Sequence, residues 1–175
     1  MALVVNILGG PCAGKSSICA GVFSKLKALG IVCELQTEVI KNEIYKENNT
    51  IRYNQIALFG ETLYQIRTKA NNVDVVVNDG SLLSNIIYEK DEGQAFHNLV
   101  IAKYKEFNNL DFFIHRADGF QTVGRYNTLE ESIEIDNQII AMYEGLGISF
   151  VHVNLGENTV DIIVEKIIQY INEKD

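Results

Sequence analysis

Cysteine is scarce in this sequence, and the few cysteines form no recognisable framework. They stand at positions 12, 19 and 33 of 175 residues, without the close pairs that bind zinc or the even number typical of disulfide-stapled domains. The three histidines are equally scattered. We therefore expect reduced thiols, as in a cytoplasm, and no metal site built from cysteine or histidine.

Positive charge is also in short supply. Fifteen lysines and arginines are set against 23 aspartates and glutamates, which gives a formal net charge of −8. Proteins that hold nucleic acid along a broad surface need a basic face. The charge balance therefore disfavours DNA or RNA as a partner, although a local basic cleft would still admit DNA.

Long apolar runs are missing as well. No run approaches the length of a membrane span, and no basic segment precedes the first one. Repeats, low-complexity tracts and linkers do not occur, and the single proline is Pro11. We expect one domain over residues 1–175, located in the cytoplasm, with no membrane partner.

What the sequence does contain is a glycine-rich turn with the spacing of a phosphate-binding loop. Residues 9–16 are Gly-Gly-Pro-Cys-Ala-Gly-Lys-Ser, which fits a glycine, four residues and then Gly-Lys-Ser. An apolar, β-branched run at 2–8 precedes the turn and apolar residues at helical spacing follow it. Glycines let successive backbone N–H groups face an anion, and the helix dipole adds positive potential. The alternative is a chance glycine-rich turn before a helix.

The motif assigns roles to individual residues. Lys15 is expected to reach the β- and γ-phosphates, and the Ser16 hydroxyl to ligate Mg²⁺. Cys12 is either an acidified thiol near a helix start or a small space-filling side chain. No Asn-Lys-x-Asp stretch for guanine occurs, so ATP is the expected nucleotide. The residues predicted to bind it are Gly10, Pro11, Cys12, Ala13, Gly14, Lys15, Ser16 and Ser17.

Apolar strands and amphipathic helices alternate along the chain, which is typical of an α/β fold with a parallel sheet. Thr128, with Glu131 three residues later, predicts a capping box that opens a late helix. Five strands joined by right-handed crossovers form a three-layer α/β/α domain, in which ligands bind beyond the carboxyl ends of the strands. The strands are predicted at 2–8, 31–37, 73–78, 111–115 and 148–153.

Two carboxylates fall at these carboxyl ends. Asp79 follows the third strand and is a candidate ligand of Mg²⁺, directly or through water; alternatively it opens an Asp-Gly turn. Glu38 follows the second strand and is a candidate for accepting a proton from a substrate hydroxyl or for binding that hydroxyl. Its alternative is a solvated acid in the first turn of a helix.

A polar segment at 116–128 has no apolar periodicity and carries Arg116 and Arg125. We expect it to be a lid whose arginines close over ATP and stabilise the charge of the transition state. Asp118 and Asp136 lie near the segment and are expected only to orient these arginines. A polar surface loop is the alternative.

Four segments together resemble a known group of proteins: residues 7–17, 37–38, 75–81 and 124–132. They are similar to the small P-loop ATPase and kinase domains grouped with the ribosylnicotinamide kinase half of NadR-type proteins, many of which are encoded by large-genome phages. The resemblance covers most of the chain in order, and the phosphate loop is its most specific part.

The resemblance implies a kinase-like core with strand order 2-3-1-4-5, using ATP with Mg²⁺. It also implies an acceptor-side carboxylate at Glu38, an acid at Asp79 and a lid that includes Arg125. The sequence departs from the pattern at Gly80, where related kinases often carry an arginine. The lid arginines are therefore expected to supply that charge.

Three functions remain open from the sequence. The first is a kinase, a P-loop phosphotransferase that passes the γ-phosphate of ATP to a nucleoside- or nucleotide-like acceptor. The second is a kinase acting on a modified, hydroxymethyl base in DNA, as some similar phage proteins do. The third is a nucleotide-dependent switch or ATPase binding module, which Gly80 motivates. The acceptor and the oligomeric state stay open.

Overall fold

The fold is a five-stranded, wholly parallel sheet in the order β2-β3-β1-β4-β5. A computed structural model of the chain describes residues 2–40, 54–117 and 128–174. The strands are β1 (Leu3–Leu8), β2 (Cys33–Gln36), β3 (Val75–Asp79), β4 (Asn108–His115) and β5 (Val151–Asn154). The three-layer architecture and the strand order expected from the sequence are confirmed.

Six helices pack on this sheet within the described ranges. They are α1 (Lys15–Ala28), α2 (Gln55–Ala70), α3 (Ser84–Tyr88), α4 (Gly93–Tyr104), α5 (Leu129–Gly145) and α6 (Thr159–Asn172). The predicted capping box opens α5: the Thr128 hydroxyl accepts from the Glu131 N–H at 3.2 Å, and the Glu131 carboxylate accepts from the Thr128 N–H at 2.9 Å. These reciprocal bonds satisfy two amides at the helix start.

Each face of the sheet has its own hydrophobic core. On one face, α1 and α6 cover alternate residues of β1, such as Val5 and Ile7. On the other, α2, α4 and α5 cover the intervening residues, such as Val4 and Leu8. Burial on both faces explains why the strands appear in the sequence as nearly continuous apolar runs.

The chain order places β1 at the centre of the sheet, between β3 and β4. The segment after β1 is therefore flanked by the segments after β3 and β4. In a parallel sheet, all of these segments follow the carboxyl ends of their strands and therefore lie along the same side of the sheet, its carboxyl edge. No helix of the described residues is both long and apolar enough to traverse a bilayer.

Candidate functional site

The glycine-rich turn connects the end of β1 to the first residue of α1. Two of its glycines have backbone angles that other residues rarely adopt, with φ of 141° at Gly9 and 84° at Gly14. Cys12 also has a positive φ, 62°, and is the one non-glycine residue of the described chain that does. Gly14 is the N-cap of α1 and has no side chain. It therefore offers no side-chain acceptor to the first backbone N–H groups of the helix. This is the backbone form that suits an anion.

Lys15 folds back over the turn. Its Nζ donates a hydrogen bond to the Gly10 carbonyl oxygen at 3.0 Å. The ammonium group therefore lies against the loop that the sequence predicts to hold phosphates. Ser16 is the next residue of α1, so the predicted metal ligand lies in the first turn of the helix.

Asp79 is the last residue of β3 and lies beside the strand that leads into the turn. Its Cα is in register with Ile7, and the following Gly80 N–H donates to the Ile7 carbonyl at 3.1 Å. The Asp79 residue is 7% exposed. Asp79 thus lies beside the end of β1, and Ser16 follows the turn that starts there. Their role in binding Mg²⁺ stays a prediction.

Glu38 lies two residues beyond β2, one of the two edge strands of the sheet, and is partly exposed. It leaves from the same edge as Asp79 but is separated from the phosphate loop by β3. A carboxylate there is one strand further from the nucleotide position than Asp79. Arg125 and Asp118 lie outside the described residues.

Arg116 lies on the opposite side of the phosphate loop, directly after β4, and is mostly buried. Its Nε donates to the Asp136 carboxylate at 3.0 Å, and its Nη1 donates to the Pro11 carbonyl at 3.2 Å. Its Nη2 donates to the Ser132 carbonyl at 3.1 Å and also to the Asp136 carboxylate. The predicted lid arginine therefore contacts both the phosphate loop and α5.

A row of polar side chains crosses the sheet beneath the site. Asn6 of β1 is in register with Asn78 of β3 and Asp111 of β4. Asn78 Nδ2 donates to Asn6 Oδ1 at 2.9 Å, and Asn6 Nδ2 donates to Asp111 Oδ1 at 2.9 Å. Asn78 Nδ2 also donates to the Gly80 carbonyl at 3.1 Å. The row thus extends to the turn that follows Asp79.

Two tyrosines bind Asp111, which lies at one end of this row. The Tyr104 hydroxyl donates to Asp111, and the Tyr143 hydroxyl lies 3.2 Å from Asp111 Oδ1 and 2.9 Å from Ser81 Oγ. Burial raises the pKa of the Asp111 carboxyl to about 6, although hydrogen bonds from its neighbours oppose the rise. Burial and the nearby carboxylate also raise the pKa of both tyrosines, which keeps them protonated donors.

Neither this row nor the contact between Asp136 and the phosphate loop is predicted from the sequence. The row had a signal: Asn6 interrupts an apolar strand, Asn78 ends the third predicted strand and Asp111 begins the fourth. A polar residue on a buried strand needs a hydrogen-bonding partner. Three such residues on strands of one sheet could have been expected to bind one another. Asp136 had no comparable signal, because only the fold brings α5 onto residue 10.

The comparison with protein families covers most of the chain. A family model described as an AAA domain matches residues 4–159. The chain belongs to this AAA domain family. The family is one of P-loop nucleotide-binding domains, so the match agrees with the geometry of the turn at 9–16. The matched residues also include Glu38, Asp79 and Arg116. No curated protein sequence matches this AAA domain.

Proposed function

We propose that this AAA domain is an ATP-dependent kinase that phosphorylates a hydroxyl or phosphate of a nucleoside- or nucleotide-like acceptor. The supporting observation is the order of groups along the carboxyl edge of the sheet. The phosphate loop lies at the centre, Asp79 on the adjacent strand β3, and Glu38 beyond the edge strand β2. This order supports a nucleotide position at the centre and an acceptor position on the Glu38 side.

The transfer to a hydroxyl needs few covalent events from the protein. The acceptor oxygen attacks the γ-phosphorus, the bond from that phosphorus to the β–γ bridging oxygen breaks, and its electron pair leaves with ADP. Glu38 accepts the proton of the hydroxyl. Lys15, held at the phosphate loop by its bond to Gly10, neutralises charge on the phosphates, and the loop amides hold them in place.

The residues around the loop fit Mg²⁺. The cation prefers oxygen ligands, and the Ser16 hydroxyl and the Asp79 carboxylate would hold it. The Asp79 carboxylate lies on the strand next to β1, and the Ser16 hydroxyl lies in the first turn of α1. When bound, Mg²⁺ supplies charge neutralisation on the phosphate oxygens.

The direct test is product formation from ATP with a panel of nucleosides, nucleotides and ribosylnicotinamide, followed by mass spectrometry. We expect one class of acceptor to gain a phosphate. The variant Glu38→Gln should lower kcat by about 10²-fold or more if Glu38 is the base. Glu34→Gln removes an exposed carboxylate of β2 that pairs with Lys27 at 3.3 Å, and it should leave the rate unchanged.

Two results would replace the proposal. Label transferred from ATP to hydroxymethyl-containing duplexes, but not to plain duplexes or free nucleosides, would indicate a kinase of modified DNA. Tight binding of Mg-ATP without product from any acceptor would indicate a nucleotide-dependent switch. In that case, Glu38→Gln would leave nucleotide binding and cellular function intact.

A further inference from the structure

The ion pair between Arg116 and Asp136 joins three parts of the fold at the phosphate loop. Arg116 follows β4 and Asp136 lies in the middle of α5. The two side chains are only 16% and 15% exposed. Two nitrogens of the guanidinium donate to one carboxylate oxygen, Asp136 Oδ2, and this leaves Oδ1 for another partner.

That partner is the backbone of the phosphate loop. Asp136 Oδ1 accepts the Gly10 N–H at 2.5 Å, while Arg116 Nη1 donates to the Pro11 carbonyl at 3.2 Å. The Gly10 carbonyl receives the Lys15 ammonium at 3.0 Å. Three ionic side chains therefore bind successive polar groups of the backbone at the entrance to the loop. Hydrogen bonds to charged groups are stronger than neutral ones, so this part of the backbone is well fixed.

The packing leaves no room for a side chain at this point. A Cβ on Gly10 would lie 2.5 Å from the Ser132 carbonyl oxygen, 3.0 Å from Asp136 Oδ1 and 3.2 Å from Arg116 Nη2. The loop thus lies directly on α5. The same helix contacts the turn after Asp79, because the Tyr143 hydroxyl lies 2.9 Å from Ser81 Oγ. The helix α5 therefore contacts both the phosphate loop and the turn after Asp79.

A carboxylate in contact with a phosphate loop has an electrostatic consequence. Alone, it would repel the polyphosphate, and its partly buried charge would be costly without a partner. Arg116 supplies the opposite charge at hydrogen-bond distance and satisfies the second carboxylate oxygen. The pair can therefore hold the backbone without adding net negative charge to the site.

We propose that Asp136 is a positioning residue that orients the phosphate loop through the Gly10 N–H, and that Arg116 neutralises it. The consequence for affinity rests on the proposed binding of Mg-ATP. The inference goes beyond the lid role expected for Arg116, because it assigns Asp136 a direct contact with the loop. It also makes the effect of losing Arg116 depend on the charge at position 136.

The test is a cycle of variants in the full chain: Asp136→Ala, Asp136→Asn, Arg116→Gln, and the pair Asp136→Asn with Arg116→Gln. Affinity for Mg-ATP is measured by calorimetry. We expect Asp136→Ala and Arg116→Gln each to weaken binding at least about tenfold. Asp136→Asn keeps an oxygen for the Gly10 N–H, but its NH₂ group then faces two N–H donors of Arg116. It should therefore weaken binding, although less than Asp136→Ala does. The double variant should bind better than Arg116→Gln and at least as well as Asp136→Asn, because neither an uncompensated carboxylate nor an unpaired guanidinium remains.

A second readout does not depend on nucleotide. Amide hydrogen exchange at Gly10, followed by NMR, should be at least about tenfold faster in Asp136→Ala than in wild type or Asp136→Asn. The matched control is the exposed pair between Lys25 and Asp161 on α1 and α6, where Asp161→Ala should change neither readout. Urea unfolding reports any loss of global stability separately.

Each remaining outcome is decisive. If the double variant binds as weakly as Arg116→Gln, then Arg116 contacts the phosphates directly and the neutralising role is wrong. If Asp136→Ala leaves Gly10 exchange and affinity unchanged, the positioning role is wrong. If wild type binds no Mg-ATP, the proposed function fails, and the exchange experiment alone decides whether Asp136 orients the loop.

Discussion

Asp111 offers a prediction whose size follows from the structure. The residue is 3% exposed, and its carboxyl group lies in the polar row of the sheet, bound by Asn6 and two tyrosines. Burial raises its pKa from 3.8 to about 6 in the folded protein. At about 1.4 kcal/mol per pH unit, that rise means that the ionised carboxyl makes the folded state about 3 kcal/mol less stable than the protonated carboxyl does.

The sign follows from proton linkage. Between about pH 4 and pH 6 the folded state binds the Asp111 proton more tightly than the unfolded chain does. Raising the pH through this window therefore lowers the free energy of unfolding, and the contribution levels off above pH 6. The variant Asp111→Asn is neutral at every pH and keeps an oxygen that can accept from Asn6. The free energy of unfolding of this variant should therefore lack the pH dependence that Asp111 contributes.

The assay is urea unfolding, followed by circular dichroism, of wild type and Asp111→Asn at pH 4, 5, 6 and 7. The free energy of unfolding of wild type minus that of the variant should fall by about 2.4 kcal/mol from pH 4 to pH 7, because the unfolded carboxyl is already partly ionised at pH 4. Taking the difference cancels the other carboxylates. A difference that is flat with pH for Asp111→Asn would refute the reasoning.

Two glycines provide further predictions. Gly10→Ala places a Cβ 2.5 Å from the Ser132 carbonyl oxygen, so affinity for Mg-ATP should fall at least about tenfold by calorimetry. The control is Gly60→Ala, whose Cβ has open space around it. It should keep wild-type affinity and raise the free energy of unfolding by about 0.5–1 kcal/mol. Gly21→Ala places a Cβ 2.7 Å from Val160 Cγ2 and should destabilise the contact between α1 and α6 by about 1–3 kcal/mol in urea unfolding. Adding Val160→Ala should restore most of that loss if the clash is its cause.

Two results would contradict these packing arguments. Wild-type affinity in Gly10→Ala would mean that the loop does not lie on α5 in solution. Equal stability losses for Gly21→Ala with and without Val160→Ala would mean that the clash between these two positions is not responsible for the loss.

The fold was predictable because its signals are local and repeated. Apolar runs and helical spacing alternate along the whole chain, and the capping box at Thr128 marks the start of α5. The strand limits were less predictable. The sequence predicts β4 only from Asp111, whereas the strand begins at Asn108, because the register with Leu3 extends the ladder across polar residues.

The candidate site was predictable only in part. The phosphate loop has a contiguous motif, and Asp79 directly follows an apolar run, so both could be located from the chain alone. The contact of Asp136 with Gly10 joins residues 126 positions apart. It depends on how α5 packs after β4, which no local pattern encodes.

The central claim is that the turn at 9–16 binds the phosphates of a nucleotide, and calorimetry with Mg-ATP tests it most directly. Wild type should bind, and Lys15→Ala should lose at least about tenfold in affinity, because the ammonium held at the loop is removed. Lys25→Ala, which removes an exposed lysine of α1, should bind as wild type does. No heat of binding in wild type, or equal affinity in Lys15→Ala, would contradict the account.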